Sequence, residues 1–341
     1  MFYVIEMSFV AQSVILNQSL DEGIPEIEHF RFESNSIDSS ELEVGDIFVK
    51  VIVLSADPYL RGRIRTSDSL GAKSANSTIH PGQRINGFVA GVVLFSKRND
   101  WKPGDLFGAH LPFTTYQIIK GESLDKTIIW NLSEYIELKD ISYGIGVLGM
   151  TGATAYGGVF DVLRPKTGET IFISAASGAV GGTAGMIAKA AFDCVAIGSC
   201  GGPEKCNIVK NIYKFDHAID YKKLTNSTEL VTALKEVSPN GIDMYFENVG
   251  GFHFDAALEV LRPAGRIGLC GQIKEYNQLE APACSINPLK MIYSNQRIEG
   301  FSTAPWISNP RWRDKFLQDM SKWLREGKLI VSCSNYFREI V

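Results

Sequence analysis

The sequence TIFISAASGAVG, residues 170–181, passes from four apolar or β-branched residues into a run of small residues. An apolar-periodic segment follows through Met186, Ile187 and Ala191. This order predicts a strand, a tight turn and a helix, the geometry that places the N–H groups of a helix N-terminus against a pyrophosphate. The stretch therefore predicts a dinucleotide-binding unit. The alternative is an ordinary strand–turn–helix connection without a ligand.

The turn follows the pattern A-x-G-x-x-G, with an alanine where a first glycine is usual. Glycines allow the backbone to approach phosphate groups, and Gly185 allows the following helix to pack close to the sheet. The predicted cofactor contacts at this turn are Ala176, Gly178, Ala179, Val180 and Gly181.

The middle third of the chain alternates strand and helix patterns. Further strands are predicted at 194–198, 218–221, 242–247 and 266–270, and helices at 203–212, 228–236 and 254–261. Such alternation predicts a parallel sheet with helices on both faces, and ligands then bind at the carboxyl ends of the strands.

The first part of the chain has a different pattern. Short strands with Gly and Pro punctuation predict a β-rich, barrel-like domain over roughly residues 1–125. A strand at 48–54 runs into the polar segment SADPYLRGR at 55–63. A strand that ends in such a turn often places side chains in a cleft, and the alternative is an exposed loop.

Composition limits the classes of function. The 341 residues are enough for two domains, and the net charge of −4 gives no reason to expect a nucleic-acid or membrane partner. The N-terminus has no basic segment before its apolar residues, so a cytoplasmic location is expected. Cys194, Cys200 and Cys206 are evenly spaced. We predict no metal site there, because the first falls in a strand and the third in a helix, so their side chains need not converge.

The end of the second predicted strand indicates the cofactor. It reads Ile197-Gly198-Ser199, and no acidic residue follows until Glu204. An NAD site favours an acid here, whereas a 2′-phosphate carries about −1.5 to −2 charge. Lys205 can neutralise that charge and Ser199 can donate a hydrogen bond. The sequence therefore predicts NADPH; the alternative is that Lys205 is an ordinary solvated lysine.

Six segments together resemble a known family: DPYLRGRI, VLGMTGATAYGG, ISAASGAVGG, GGPEKC, YFENVGG and RIGLCGQIKEYN. They resemble the zinc-independent medium-chain dehydrogenase/reductases, in particular leukotriene/prostaglandin reductases, plant alkenal double-bond reductases and curcumin reductase. The resemblance implies an α/β protein with a GroES-like β-barrel catalytic domain over 1–145 and a doubly wound, parallel-sheet Rossmann domain over 146–297. Residues 298–341 are then expected to return to the catalytic domain.

The expected absence of zinc has a basis in the residues. Zinc-dependent relatives carry Gly-His-Glu-x-x-Gly where this chain reads GQRING at 82–87, and a ligand cysteine where it reads Ala56-Asp57. The five histidines show no ligand spacing. We predict no metal.

The resemblance implies reduction of the C=C bond of α,β-unsaturated ketones and aldehydes, with hydride transfer to the β-carbon. Tyr276 matches the position credited with stabilising the enolate, and a phenol can donate a hydrogen bond without ionising. Alternatives are that Tyr276 packs over the cofactor, or that the ribose 2′-hydroxyl of the cofactor does this work. Tyr59 matches a substrate-pocket position; the alternative is a half-buried barrel tyrosine. Further expected cofactor contacts are Thr151, Thr154, Tyr221, Asn248, Cys270 and Tyr276.

The sequence is also compatible with two other functions. Relatives continue beyond a segment like Glu326-Gly327-Lys328 with a further helix and strand that the sequence does not show. This favours, as one alternative, an NADPH-binding protein with weak or no activity. A quinone reductase of the same superfamily is another alternative, although Tyr276 in its C-G-x-x-x-x-Y-N frame favours the alkene reductase. The family is usually dimeric through the edges of its Rossmann sheets, so a homodimer is expected.

Overall fold

A computed structural model describes residues 7–66, 78–124, 126–280 and 284–331. The chain divides into two units. The first unit comprises Met1–Gly149 with Glu275–Ala283, and the second comprises Met150–Lys274 with Cys284–Val341.

The first unit is built from antiparallel strands, as its short, turn-punctuated segments predict. A five-stranded sheet has the order β6-β3-β4-β5-β7, and β1 pairs with β2 in a separate ribbon. The aliphatic and aromatic side chains of these strands, such as Ile47, Val89 and Phe107, form its buried core. Its elements are β1 (Ser8–Leu16), β2 (Phe30–Asp38), β3 (Ile47–Leu54), α1 (Leu60–Arg63), β4 (Asn86–Ser96), β5 (Leu106–Pro112), β6 (Tyr116–Ile119), α2 (Gly121–Leu124) and β7 (Ile129–Asn131).

The second unit holds a six-stranded parallel sheet in the order β10-β9-β8-β11-β12-β13. The chain first adds strands on one side of β8 and then crosses to β11 on the other side. In such sheets ligands bind at the carboxyl ends of the two strands that flank this reversal. Its strands are β8 (Thr170–Ile173), β9 (Val195–Cys200), β10 (His217–Asp220), β11 (Ile242–Glu247), β12 (Leu261–Leu269) and β13 (Arg297–Gly300).

The helices between β8 and β12 lie where the sequence predicts them, with ends that differ by a few residues, whereas the helices after β12 were not predicted. The sequence analysis did not predict β13, a four-residue edge strand in which two residues are charged. The helices are α3 (Met150–Gly157), α4 (Ala179–Phe192), α5 (Pro203–Asn207), α6 (Ser227–Val237), α7 (Phe252–Val260), α8 (Pro288–Ser294), α9 (Ala304–Ile307) and α10 (Pro310–Arg325). Single π-helical turns extend α3 over Gly158–Leu163 and α5 over Ile208–Ile212.

The described part of the last predicted domain segment, residues 298–331, lies in the second unit. Helix α10 buries Phe316 and Met320, and its Asp319 accepts a 2.6 Å hydrogen bond from the Tyr156 hydroxyl on α3. These contacts group the segment with the Rossmann strands, whereas the sequence analysis assigns 298–341 to the catalytic domain. That assignment stays a proposal.

Candidate cofactor and substrate sites

The glycine turn connects β8 to α4 in the second unit. Ala175 has a positive φ of 50°, and its carbonyl accepts the Gly178 N–H at 2.9 Å. Gly178 is the N-cap of α4, and no side chain caps this end of the helix. The first N–H groups of a helix have no partners within it and carry a partial positive charge. Since Gly178 and Ala179 are exposed, this end is open to an anion.

Close packing explains the small residues of this turn. A Cβ atom at Gly181 would lie 2.6 Å from the Ala175 carbonyl oxygen. Ala176 is fully buried, and a Cβ atom at Gly198 on β9 would lie 2.6 Å from its Cβ. The alanine at the usual first-glycine position therefore fits because a glycine faces it. Close approach between a turn and a strand is the reason for glycine at these positions.

The Ser199 hydroxyl, a predicted phosphate donor, has a partner within the protein, and its contact with the cofactor stays a prediction. Ser199 is fully buried within β9, one residue before the strand ends. Its hydroxyl hydrogen-bonds the Nε2 atom of buried His253 at 2.9 Å, and its carbonyl accepts the Ala176 N–H. Burial lowers the pKa of His253 to about 4, so the imidazole is neutral at pH 7. This hydrogen bond joins β9 to α7.

Cationic and aromatic side chains surround the residues that follow β9. Lys205 is exposed on α5, as both interpretations of this lysine require. A Cβ atom at Gly201 would lie 3.0 Å from the Tyr221 hydroxyl and 3.2 Å from the Lys222 Cε atom. Asp220, at the end of the neighbouring strand β10, accepts a 2.7 Å hydrogen bond from the Gly202 N–H. Its carboxylate therefore supports the backbone of the loop that follows β9. This end of β9 suits a phosphate better than a ribose diol.

Two of the three evenly spaced cysteines converge, which the sequence analysis did not expect. The sulfur atoms of Cys200 and Cys206 lie 3.3 Å apart, because the loop between β9 and α5 folds back on itself. No group of three or more potential metal ligands occurs among the residues that the structure describes. The absence of zinc stays a prediction.

A buried polar cluster at the ends of β8 and β11 escaped the sequence analysis. Glu247 is fully buried, and its Oε1 atom accepts hydrogen bonds from the Val249 N–H at 2.6 Å and the Gly250 N–H at 3.0 Å. The Ser174 hydroxyl also donates to Glu247 and accepts from the Asn248 N–H. Burial raises the pKa of Glu247. The sequence did contain a signal for this cluster, because Glu247 is a charged residue at the end of an otherwise largely apolar strand.

Asn248 and Cys270 lie at neighbouring strand ends. The Asn248 side-chain amide donates to the Ser174 carbonyl at 2.8 Å, and the Cys270 N–H donates to the Glu247 carbonyl at 2.9 Å. Burial raises the pKa of the Cys270 thiol to about 12, so it is protonated at pH 7. Both residues therefore lie at the carboxyl edge of the sheet, where the sequence analysis expects the cofactor.

Thr151 and Thr154 are both buried on α3. The Thr154 hydroxyl donates to the Met150 carbonyl at 2.8 Å and hydrogen-bonds the Thr303 hydroxyl. These contacts hold α3 against the segment before α9. Their predicted contact with the cofactor stays a prediction.

In the first unit, the DPYLRGR segment follows β3 and is more buried than a surface loop. Asp57 is 8% exposed, and its Oδ1 atom accepts a 2.8 Å hydrogen bond from the Ser55 hydroxyl. Burial raises the pKa of Asp57 to about 6. Tyr59 is half-buried, and its hydroxyl oxygen is shielded from solvent and interacts with the Arg63 guanidinium. Burial raises its pKa to about 12, so Tyr59 is a neutral phenol with an available donor.

Two buried arginines, one in this segment and one just after it, bind the loop that carries Tyr276. Arg61 donates from Nε to the Asn277 side-chain oxygen at 3.1 Å and from Nη1 to the Leu20 carbonyl at 2.8 Å. Arg65 donates to the Gln278 and Leu279 carbonyls, each at 3.0 Å, and to the Tyr276 carbonyl at 3.4 Å. The loop is thereby fixed to the first unit, with Tyr276 half-buried.

A cavity of about 690 Å³ also lies in the first unit. Its lining includes Arg63, Arg84, Asn86 and His110. Arg63 donates to the carbonyl and side-chain oxygens of Asn86 at 2.7 and 2.8 Å. Burial lowers the pKa of His110 to about 4, so the positive charge of the lining comes from Arg63 and Arg84, and Glu33 adds a negative charge.

Comparisons with known proteins agree with this architecture. The model of the "Zinc-binding dehydrogenase" family matches residues 179–322, and that of the "N-terminal domain of oxidoreductase" matches residues 13–127. The chain is 38% identical to a 2-alkenal reductase (NADP(+)-dependent) from Nicotiana tabacum, covering 84% of this chain and 78% of the relative. It is 34% identical to prostaglandin reductase 1 from Bos taurus, covering 87% of this chain and 84% of the relative.

A solved structure resembles the whole chain. CurA from Vibrio vulnificus in complex with NADPH superposes with a TM-score of 0.80 at 31% identity, over 94% of this chain and 90% of that one. The predicted fold class, an α/β protein with a Rossmann unit and a separate antiparallel unit, is confirmed. In the parts of the chain that the structure describes, no helix has the length and apolar character needed to cross a membrane.

Proposed function

The chain belongs to the medium-chain dehydrogenase/reductase family, in the group of the prostaglandin and alkenal reductases, and we propose that it reduces the C=C bond of α,β-unsaturated ketones and aldehydes. It is an NADP-dependent oxidoreductase, as these relatives are. The finer proposal concerns the bond reduced, the direction of hydride transfer and the residues that support it.

The second unit fits NADPH. The uncapped, exposed start of α4 suits a pyrophosphate. Gly181 allows the turn before it to close tightly, because a Cβ atom there would lie 2.6 Å from the Ala175 carbonyl oxygen. Lys205 and Tyr221 would hold the 2′-phosphate, since cations and a phenol surround the end of β9 and no acidic residue follows it before Glu204. When bound, NADPH supplies the hydride that the β-carbon of the substrate receives.

The observation that carries the proposal is the attachment of the Tyr276 loop to the first unit by buried Arg61 and Arg65. Hydride addition to the β-carbon moves negative charge to the carbonyl oxygen. A donor stabilises that charge best when its position is fixed before the reaction, because no reorganisation is then needed. We assign this role to the Tyr276 hydroxyl. The shielded hydroxyl of Tyr59 supports its assignment to the substrate pocket, because Arg63 can only donate to its oxygen and the phenol proton stays available to a substrate.

The test is turnover with NADPH against an enone, an enal, a curcuminoid and a quinone, with NADH in parallel. With NADPH deuterated at the transferred position, we expect deuterium on the β-carbon of the product, read by NMR. Tyr276→Phe should lower kcat for the enone by about 100-fold, the effect of losing one oxyanion donor. Tyr116→Phe, a half-buried tyrosine on β6, is the matched control and should leave kcat unchanged.

The outcomes separate the alternatives. Turnover of the quinone alone would favour the quinone reductase. Full activity of Tyr276→Phe would remove Tyr276 from the reaction and favour the cofactor ribose as the donor. NADPH binding without turnover of any substrate would favour a binding protein.

The expected homodimer has support in the second unit. Strand β13 lies at the edge of the sheet. Helix α8, which precedes it, exposes Leu289, Ile292 and Tyr293 at 62%, 64% and 83%. Exposed apolar side chains beside an open sheet edge suit a second copy of the same edge.

A further inference from the structure

Two thiols meet at the end of the strand that precedes the proposed 2′-phosphate site. Cys200 is the last residue of β9 and is 1% exposed, whereas Cys206 lies on α5 and is half-buried. Their sulfur atoms are 3.3 Å apart, within reach of a covalent bond after a small movement. Both thiols are free.

The chain between the two cysteines is a short closed loop. Gly202 has a positive φ of 96°, its carbonyl accepts the Cys206 N–H at 3.1 Å, and its N–H donates to Asp220. Lys205 belongs to this loop and immediately precedes Cys206. A change at either sulfur therefore acts on the segment that carries the proposed phosphate ligand.

We propose that Cys200 and Cys206 form a reversible disulfide when the protein meets a small anionic disulfide of the glutathione type, and that this bond weakens NADPH binding. The effect on NADPH rests on the proposed function, because it requires the 2′-phosphate to lie beside Lys205. Formation of the disulfide itself does not depend on that assignment.

The oxidant can reach Cys206 first. A cavity of about 400 Å³ opens beside it, lined also by Pro203, Asp220 and Lys223. The Lys223 ammonium can pair with a carboxylate and the Asp220 carboxylate with an ammonium, and a disulfide of the glutathione type carries both groups. Burial raises the pKa of Cys200 to about 12, so Cys200 is the slower and shielded thiol.

The exchange balances without a further reagent. The Cys206 thiolate attacks one sulfur of the oxidant, which forms a mixed disulfide and expels the other half as a thiolate; this takes up the proton that Cys206 lost and becomes the first thiol. The Cys200 sulfur then attacks the Cys206 sulfur, the second thiol of the oxidant leaves, and the Cys200 proton passes to it. The two cysteines lose two electrons and two protons, and the oxidant becomes two thiols.

We expect formation of the disulfide to shift α5. The sulfurs have to close from 3.3 Å to about 2.05 Å. Cys200 is held in β9, where it pairs with Asp220 of β10, so the movement falls on Cys206 and its neighbour Lys205. Because the 2′-phosphate is what Lys205 would contact, binding of NADH should change little.

The experiment compares the full chain reduced by a dithiol with the full chain equilibrated in oxidised glutathione. Peptide mapping should find a Cys200–Cys206 linked peptide two hydrogens lighter than the reduced pair. Calorimetry should show the Kd for NADPH about tenfold higher in the oxidised protein, a typical coupling between two sites, and the Kd for NADH within about twofold. Cys206→Ser should abolish both changes, whereas Cys284→Ser, an exposed cysteine, should keep them.

Two results would overturn the proposal: no Cys200–Cys206 link under oxidation, or a link that leaves the Kd for NADPH unchanged. Lys205→Ala in the reduced protein separates this from a failure of the proposed function. If that variant binds NADPH as tightly as the wild type, the phosphate site is wrong and the link to NADPH is lost with it. Peptide mapping still decides whether the disulfide forms.

Discussion

At the scale of single residues, Asp57 is a carboxyl group that the fold buries with one hydrogen bond. Burial raises its pKa from 3.8 to about 6. Between about pH 4 and pH 6, the Asp57 carboxyl is protonated in the native protein and ionised in the unfolded chain. Stability therefore falls as pH rises from about 4 to about 6, and the lost stability is not recovered at higher pH.

Asp57→Asn should accordingly be more stable than the wild type at pH 7. The gain is about 3 kcal/mol, from a pKa shift of roughly two units, and it should vanish at pH 4 and below. The Asn side-chain oxygen can still accept the Ser55 hydroxyl. Urea denaturation at pH 4, 6 and 8 measures this difference. A difference that is the same at all three pH values would contradict the shift.

Arg61 should act on turnover through the position of Tyr276. In Arg61→Ala the Asn277 side chain and the Leu20 carbonyl lose their donors, so the Tyr276 loop is held by the Arg65 contacts without those of Arg61. We expect kcat to fall about 10- to 100-fold, the effect of a small misplacement of a reacting group. The Kd for NADPH should stay unchanged, because Arg61 belongs to the first unit and the glycine turn to the second.

Two variants accompany this measurement. Arg61→Lys should restore only part of kcat, since an ammonium cannot reproduce the fork geometry of a guanidinium. Arg31→Ala removes an exposed arginine and should be neutral. Unchanged kcat in a folded Arg61→Ala protein would show that the loop needs no such support.

At the scale of elements, the packing of α4 against the side chain of Phe215 depends on Gly185. A Cβ atom there would lie 1.9 Å from the ring of buried Phe215. Gly185→Ala gains about 1 kcal/mol of helix propensity, but overpacking of a core costs typically about 1–3 kcal/mol. We expect the clash to prevail and the variant to unfold at lower urea concentration. Gly62→Ala on α1 is the control, because its Cβ would meet no atom within 4 Å. Equal stability of the two variants would contradict this account.

At the scale of the whole molecule, a homodimer through the β13 edge predicts a mass twice that of the chain in light scattering. Ile292→Glu on α8 should shift this mass toward the monomer, because a charge would have to be buried at the interface. Ile27→Glu is the matched control, since Ile27 is 79% exposed and lies in the first unit. A wild-type protein of monomer mass would exclude the dimer.

The sequence by itself determined the features that depend on neighbouring residues. The alternation of strands and helices, the glycine turn before α4 and the absence of an acid after β9 follow from local propensity and short-range sterics. These features predicted the Rossmann unit and the phosphate-binding end of α4. They also predicted Lys205 by position, whereas Tyr276 was predicted from the family resemblance.

Only the tertiary structure decided which distant side chains meet. The Ser199 hydroxyl pairs with His253, 54 positions away, and Arg61 reaches Asn277 across 216 positions. Cys200 and Cys206 converge because a loop closes on a glycine with positive φ. The edge strand β13 forms because β12 offers it unpaired backbone groups, which its short, charged sequence does not reveal. Such pairings depend on how the sheet and its loops pack, and no local pattern encodes that packing.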